Sequence, residues 1–256
     1  MKFNDHAIVD AKLVKEVVKS YNTLDYSPRL KELLNVIFPA DSLKGLCKLD
    51  LHRLMNELVI RSYGGEQVVK YALFKAFHDK NVIGAYEIKV KRSRVDFLTI
   101  NGHTTSFEIK SNLDNLDKLA KQSVDYLSAF EFNNVVIDER HLKRCLTIIP
   151  DRFGIITVDK QEHHIVRKPK LSKHVDPVAQ LALMTKKELM QYFGFVNIED
   201  ILQSNNPATI NDLFKVALKD RYRSRWQFIV EHSVDILPID IQFFFNMNIK
   251  PIHIYS

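Results

Sequence analysis

The chain has 256 residues, 46% of them hydrophobic, enough to bury the core of one α/β domain with additions or of two small domains. Only 7 glycines and 8 prolines leave little room for long disordered linkers. The two cysteines, Cys47 and Cys145, lie far apart without CxxC spacing, which argues for reduced thiols in a cytosolic protein and against a zinc site. The net charge of +6 is compatible with nucleic acid without establishing it. No apolar run approaches the ~18 residues of a membrane span, and the first residues, MKFNDHAIVDAKLVKE, show no continuous apolar stretch of a secretory signal.

Residues 6 to 62 read as helical. Leu13, Val14, Val17, Val18 and Tyr21 recur at helical spacing, and Ser27-Pro28 looks like an N-cap with Pro at the first helical position. A further helical stretch, LDLHRLMNELVI, precedes Gly64-Gly65. EQVVKYALFKAF (66–77) is an amphipathic helix, and VIGAYEIKV (82–90) alternates like a strand. RVDFLTINGHTTSFEIKS (94–111) reads as two strands joined at Asn101-Gly102, the strongest short-range hairpin signal. LDNLDKLAKQSVDYLSAF (113–130) is a helix, followed by the strands NVVID (134–138), FGIITVD (153–159) and HHIVRK (163–168). Beyond about residue 175 the pattern turns helical: PVAQLALMTKKELMQYF, a short IEDILQ, and TINDLFKVALKDRYRSRWQF with a cap at Thr209. The tail DILPIDIQFFFNMNIKPIHIYS is apolar and strand-like. The order predicts an α/β fold with a mixed sheet flanked by helices.

Asp96 on one hairpin strand and Glu108-x-Lys110 on the next form a set suited to metal-dependent phosphodiester cleavage. A hard ion such as Mg²⁺ takes carboxylate oxygens and retains water. Asp96 and Glu108 would hold it, with the Ile109 carbonyl as a further ligand. Lys110 shares a strand face with Glu108 and could orient water or stabilise charge at phosphorus. The plainer account makes Glu108 and Lys110 solvent-facing residues at a sheet edge and Asp96 a turn acid, and D…ExK by itself is a weak pattern. Glu66 opens its helix near the apolar face and could be a third ligand, or simply an acid favoured at a helix N-terminus. Gln122 and Tyr126, at i and i+4, can present an amide and a phenol together, or pack on the sheet. Arg94, two residues before Asp96, could contact phosphate or pair with an acid.

Hairpin register decides whether one ion can be shared. A two-residue Asn-Gly turn would pair Asp96 with Phe107 and turn Glu108 to the opposite face. A three-residue loop with a left-handed Gly102 would pair Thr99 with His103 and Asp96 with Ser106. Asp96, Ser106, Glu108 and Lys110 then lie on one face and Val95, Phe97, Phe107 and Ile109 on the other. The apolar clustering predicts the bulged register, or an equivalent bulge near Asp96.

Glu66, Asp96, Glu108-Ile109-Lys110 and Gln122-xxx-Tyr126, in this order, resemble the PD-(D/E)xK restriction-endonuclease-like superfamily; the Gln-xxx-Tyr element is similar to the RecB-type nuclease branch. The acid on the preceding helix is similar to the arrangement in archaeal Holliday-junction resolvases. The wording is more similar still to that of a bacterial and phage family of small PD-(D/E)xK-like proteins of unassigned function. It is carried here by Arg94, Asp96, Asn101-Gly102, Glu108-Ile109-Lys110-Ser111, Asp114, Leu116, Lys118-Leu119 and Gln122. The resemblance spans roughly residues 54 to 228; the name-giving Pro-Asp pair reads Val95-Asp96 here. It implies a restriction-endonuclease-like fold and DNA phosphodiester hydrolysis with Mg²⁺ or Mn²⁺, in defence, repair or recombination. Its site would comprise Lys110, Asp96, Glu108, Gln122 and Tyr126, with Asp96, Glu108, Glu66 and Ile109 at the metal. The alternative is a catalytically silent nucleic-acid-binding or protein-interaction protein on the same fold.

The expected organisation is an N-terminal helical region (1–62), a nuclease-like core (63–170) and a mainly helical C-terminal region with an apolar tail (171–256). DNA is the expected partner, no membrane association is expected, and a homodimer is left open. Lys215, Lys219 and Arg223 form one basic stripe and Arg221 and Arg225 a second; both could track phosphates, or be a solvated helix face. Asp138, Glu139 and His141 follow a buried strand and could border the site, though loop acids and a surface His are the plainer account. His163 and His164 alternate across a strand and cannot face one metal together.

Overall fold

A computed structural model describes residues 9–159 and 162–256. Four helices come first: α1 (Ala11–Ser20), α2 (Ser27–Asn35), α3 (Lys48–Ser62) and α4 (Glu66–Phe77). Strands β1 (Ile83–Val90), β2 (Ser93–Asn101) and β3 (His103–Lys110) follow. After them come α5 (Leu119–Ala129), β4 (Phe132–Asp138), α6 (Leu142–Ile148), β5 (Gly154–Asp159) and β6 (Glu162–Arg167). The remainder is helical: α7 (Pro177–Leu181), α8 (Lys186–Phe193), α9 (Ile198–Ser204), α10 (Pro207–Glu231), α11 (Ile241–Met247) and α12 (Ile252–Tyr255). Two compact units result, one of residues 1–72 and 227–256, the other of residues 73–226. This divides the chain differently from three consecutive regions, because the C-terminal segment groups with the N-terminal helices.

The second unit holds a mixed six-stranded sheet in the order β1-β2-β3-β4-β5-β6, flanked by helices. The first three strands form an antiparallel meander, β3, β4 and β5 run parallel, and β6 returns antiparallel. One face of the meander is aromatic. Phe97 lies opposite Phe107 at a ring distance of 5.9 Å, and Phe77 and Tyr86 sit 6.1 and 5.0 Å from Phe97. Trp226 closes the cluster 6.1 Å from Phe97, resting on Gly84, where an added Cβ would meet the indole at 2.3 Å. The other face of the meander is covered by α5.

The hairpin register differs from both expected ones. Only Gly102, left-handed at φ 71°, separates the strands; Asn101 pairs with His103 and Phe97 with Phe107. The Asp96–Ser106 pairing is therefore corrected by two residues, Ser106 facing Leu98 instead. A two-residue shift keeps every side chain on its expected face. It also sets two aromatic rings directly across from each other, a cross-strand pair worth a few tenths to ~1 kcal/mol. Asp96 and Glu108 thus share the face under α5. The alternative expectation, an equivalent bulge near Asp96, is corrected as well: the β1–β2 register is the same on both sides of Asp96. Tyr86 pairs with Phe97 and Ile88 with Val95, whereas Glu87, opposite Asp96, leaves the ladder with φ 59°.

The first unit is helical. Val14, Val17 and Val18 of α1, Leu30 and Leu34 of α2, and Leu51, Met55 and Leu58 of α3 are buried with Ile241, Phe244 and Phe245. The expectation of a strand-like tail is corrected: Ile241, Phe244 and Phe245 stand at i, i+3 and i+4, so α11 buries one helical face. Asp240, fully buried, accepts hydrogen bonds from Tyr21 (2.9 Å), Thr23 (2.9 Å) and Tyr255 (2.8 Å).

Other boundaries move by local capping. α2 starts at Ser27 with Tyr26 as N-cap, so Ser27 does not cap it. Residues 112–118 form turns and loop before α5, held by Asp114, which accepts from the Ser111 N–H at 2.8 Å. The single helix expected from PVAQLALMTKKELMQYF is two, because Thr185 and Glu188 form a capping box that starts α8. α10 begins at Pro207, and Asn206, not Thr209, accepts the capping bond, from the Thr209 N–H at 2.9 Å. Among the described residues no helix is long and apolar enough to cross a membrane.

Candidate functional site

β3 ends on Glu108-Ile109-Lys110, and α5 lies over that end with Gln122 and Tyr126 one turn apart on the same side. Glu108 is only 1% exposed. Its Oε1 accepts from Lys110 Nζ at 2.5 Å and Gln122 Nε2 at 2.6 Å, and its Oε2 accepts from Tyr126 Oη at 2.6 Å. Tyr126 Oη also lies 2.7 Å from the Arg94 carbonyl, so one phenolic proton serves two acceptors. A buried carboxylate is tolerable only when paired and hydrogen-bonded, and here an ammonium, an amide and a phenol do both. The Gln122 Oε1 is buried without a protein donor.

Burial pushes the Lys110 ammonium towards neutrality, but Glu108 beside it, helped by Asp96 and Asp114, outweighs burial and raises its pKa above the usual lysine value. Lys110 therefore stays charged at neutral pH and acts as a cation and donor rather than a base. Burial and the Glu108 charge raise the Tyr126 phenol far above its ordinary value, so it too remains a donor.

Asp96, on the neighbouring strand, accepts the Ile109 backbone N–H at 2.6 Å. The Ile109 backbone thus fixes Asp96 next to Glu108. Glu87 of β1 joins the site unannounced by the sequence reading: a carboxylate oxygen of Glu87 lies within 4.8 Å of one of Asp96. Glu87 also pairs with Arg94, whose side chain is 67% exposed. A non-glycine residue at φ 59° costs about 1 kcal/mol or more, and such strain concentrates at functional sites. The available signal was YEIK, an acid inside an apolar alternation three residues from a strand end. Glu66 heads α4 in the first unit, where its carboxylate accepts from the buried Lys70 ammonium at 2.5 Å. Ion pairing, besides the helix end, thus accounts for its position.

His141 borders this end of the sheet, its Nε2 lying 3.0 Å from the Ser111 carbonyl; Asp138 is engaged with Arg140 at 2.8 Å. His163 and His164 are both exposed on β6.

The basic stripes of α10 separate into two groups. Lys215 is 13% exposed and donates to the Gly102 carbonyl at 3.0 Å, near Glu131 (3.4 Å) and Asp212 (3.1 Å). Arg221 is clamped to Glu188 at 2.6 and 2.5 Å and donates to the Leu183 carbonyl at 3.0 Å. Both hold the second unit together. Lys219 is half-buried, Arg223 and Arg225 are exposed, and Arg223 lies 3.7 Å from Asp220. The sequence could not show which cations on a helix meet buried acids elsewhere in the chain.

The family model described as bacteriophage P4 protein cII matches residues 54–244, well over half of the chain. The chain belongs to the bacteriophage P4 protein cII family. The match takes in the whole sheet, α5 and α10, and that description states no activity. No curated protein matches the chain. A solved structure, the SPO1766 protein of unknown function from Silicibacter pomeroyi, is similar at 19% identity and a TM-score of 0.36, over 44% of this chain and 77% of that one.

Proposed function

We propose that the chain is a metal-dependent nuclease of the PD-(D/E)xK type that hydrolyses DNA phosphodiester bonds. The observation that carries this reading is the meeting of four elements around the Glu108-Ile109-Lys110 end of β3. Its own strand supplies Lys110, α5 supplies Gln122 and Tyr126, β2 supplies Asp96 through the Ile109 N–H, and β1 places Glu87 beside Asp96. A structural carboxylate does not need a second and third acid nearby.

The donor set fits a hard divalent cation, since it offers carboxylate oxygens and no thiolate or imidazole. Asp96 and Glu87 would hold Mg²⁺ or Mn²⁺, with Glu108 and the Ile109 carbonyl beside them. Such an ion would supply charge neutralisation at the phosphate and activation of water. Lys110, protonated at neutral pH, would orient the attacking water through its N–H groups and stabilise charge developing on the phosphoryl oxygens. Gln122 and Tyr126 would hold Glu108 in one rotamer, and Arg94 would offer a guanidinium to a neighbouring phosphate. Lys219, Arg223 and Arg225 of α10 would contribute contacts to a nucleic-acid backbone.

The occupancy of both Glu108 oxygens favours a second reading, a nucleic-acid-binding or protein-interaction protein that keeps the network as a structural clasp. Incubation with labelled DNA in Mg²⁺, Mn²⁺ or EDTA separates the two. Cleavage that requires the metal and is lost in Asp96→Asn supports the nuclease; binding without cleavage under all three conditions supports the clasp.

A further inference from the structure

Leaving β6, the chain runs through Lys168, Lys170, Lys173 and His174 without an acid until Asp176. This loop is fastened at four points. The Lys170 N–H donates to the Arg152 carbonyl (2.9 Å), Arg152 Nη1 to the Leu171 carbonyl (3.1 Å), the Ser172 N–H to the Glu131 carbonyl (2.8 Å) and the Asp176 N–H to the Ser128 carbonyl (2.8 Å). Beneath it lies a cavity of about 550 Å³ lined by Leu127, Arg152, Leu171, Ser172, Lys173 and His174. Three of these six side chains are basic and none is acidic. The nearby acids are engaged elsewhere: Asp151 pairs with Arg167 at 3.4 Å, and Asp176 caps α7 by accepting from the Val178 N–H at 2.9 Å.

We propose that this cavity binds the phosphate group of a nucleotide or nucleic-acid strand. Arg152 and Lys173 supply donors and charge for phosphate oxygens, and the His174 ring and the Ser172 hydroxyl can add hydrogen bonds. The volume exceeds what a bare phosphate needs and falls in the range of small-ligand sites. Leu127 and Leu171 give the remaining wall an apolar surface for a sugar or base. The fastened loop fixes the backbone that carries Ser172, Lys173 and His174, which lowers the cost of binding. The cavity lies at the starts of β4 and β5, where Glu131 and Arg152 stand, whereas Lys110 pairs with Ile137 at the far end of β4. From Glu131 to Ile137 the chain advances six residues, roughly 20 Å at ~3.3 Å per residue; of the lining residues, Leu127 adjoins that site, next to Tyr126, and none of the polar ones belongs to it. The phosphate cavity is thus distinct from the Glu108 site and does not depend on its activity.

The test uses the intact chain in EDTA, so that metal-dependent chemistry plays no part. Binding is measured for a 5′-phosphorylated single-stranded oligonucleotide and its 5′-hydroxyl counterpart, for a nucleoside monophosphate and its nucleoside, and for inorganic phosphate. The phosphorylated member of each pair is expected to bind more tightly, and the nucleotide more tightly than inorganic phosphate. Arg152→Gln and Lys173→Gln should each weaken that binding about 10-fold, the loss of one charge-assisted hydrogen bond. Lys168→Gln, outside the cavity, should leave it unchanged. Arg152 also holds the loop, but Lys173 makes no hydrogen bond or ion pair among the described residues, so its variant reports on the ligand alone. Equal binding of phosphorylated and unphosphorylated ligands, inorganic phosphate binding as tightly as the nucleotide, or an equal loss in Lys168→Gln would overturn the proposal.

Discussion

Replacing Lys110 by methionine removes the only full positive charge that, among the described residues, is bonded to a carboxylate 1% exposed, from a lysine itself 15% exposed. Removing one partner of a buried ion pair costs about 3–5 kcal/mol, because the other charge stays buried and uncompensated. Glu108 keeps its bonds from Gln122 and Tyr126 at 2.6 Å each, so the lower end applies and a loss of about 3 kcal/mol is expected. Adding Glu108→Gln removes the orphaned charge, so the double variant should be more stable than the sum of the single losses implies, by about 2 kcal/mol. Lys110 titrates above its ordinary value in the folded chain. Its contribution is therefore fully present below the unfolded pKa of ~10.4 and is lost only as pH rises through the folded value. The deficit of Lys110→Met should accordingly be constant between pH 6 and 9 and shrink in stronger alkali. Urea unfolding of the four proteins in EDTA measures all of this. Single losses that add within about 0.5 kcal/mol would refute the coupled buried pair.

Glu87→Gly should relieve the positive φ and raise stability by about 1 kcal/mol in EDTA while weakening Mn²⁺ binding, seen by thermal unfolding and calorimetric titration; a stability loss with unchanged metal affinity would remove Glu87 from the site. Arg221→Ala should destabilise the chain through its clamp on Glu188, whereas joint replacement of Lys219, Arg223 and Arg225 should leave stability alone and flatten the salt dependence of DNA binding. His52 is fully buried, and burial, with Lys48 nearby, holds its pKa at about 4 against an ordinary 6.5. Its contribution is present above pH ~6.5 and is lost as pH falls toward 4, so the wild type should lose up to about 3 kcal/mol more than His52→Leu across that interval. Equal acid sensitivity of the two proteins in denaturant titrations would exclude the histidine as the cause.

Alternation and turn chemistry made the sheet legible in the sequence. The 66–77 helix, the hairpin strands, and the shared face of Asp96, Glu108 and Lys110 all follow from period and parity. What escaped was non-local. The turn length at Gly102 was settled by Phe97 meeting Phe107 across the strands, a preference that no Asn-Gly dipeptide encodes. Glu87 escaped because its relevance arises only when β1 pairs with β2 and sets it opposite Asp96. Lys215 and Arg221 read as a solvated or phosphate-facing stripe until the fold supplied Glu131 and Glu188. The tail hid its helical spacing within a run of three phenylalanines, where an apolar stretch fits strand and helix alike.

The central claim is tested most directly by incubating the wild-type chain and Asp96→Asn, Glu108→Gln and Lys110→Met with labelled single-stranded, duplex and branched DNA in Mg²⁺, Mn²⁺ or EDTA. Cleavage by the wild type with a divalent metal, abolished in EDTA and in all three variants while circular dichroism shows them folded, is the predicted result. Cleavage that persists in Asp96→Asn or in EDTA, or its complete absence from the wild type on every substrate with either metal, would contradict the account.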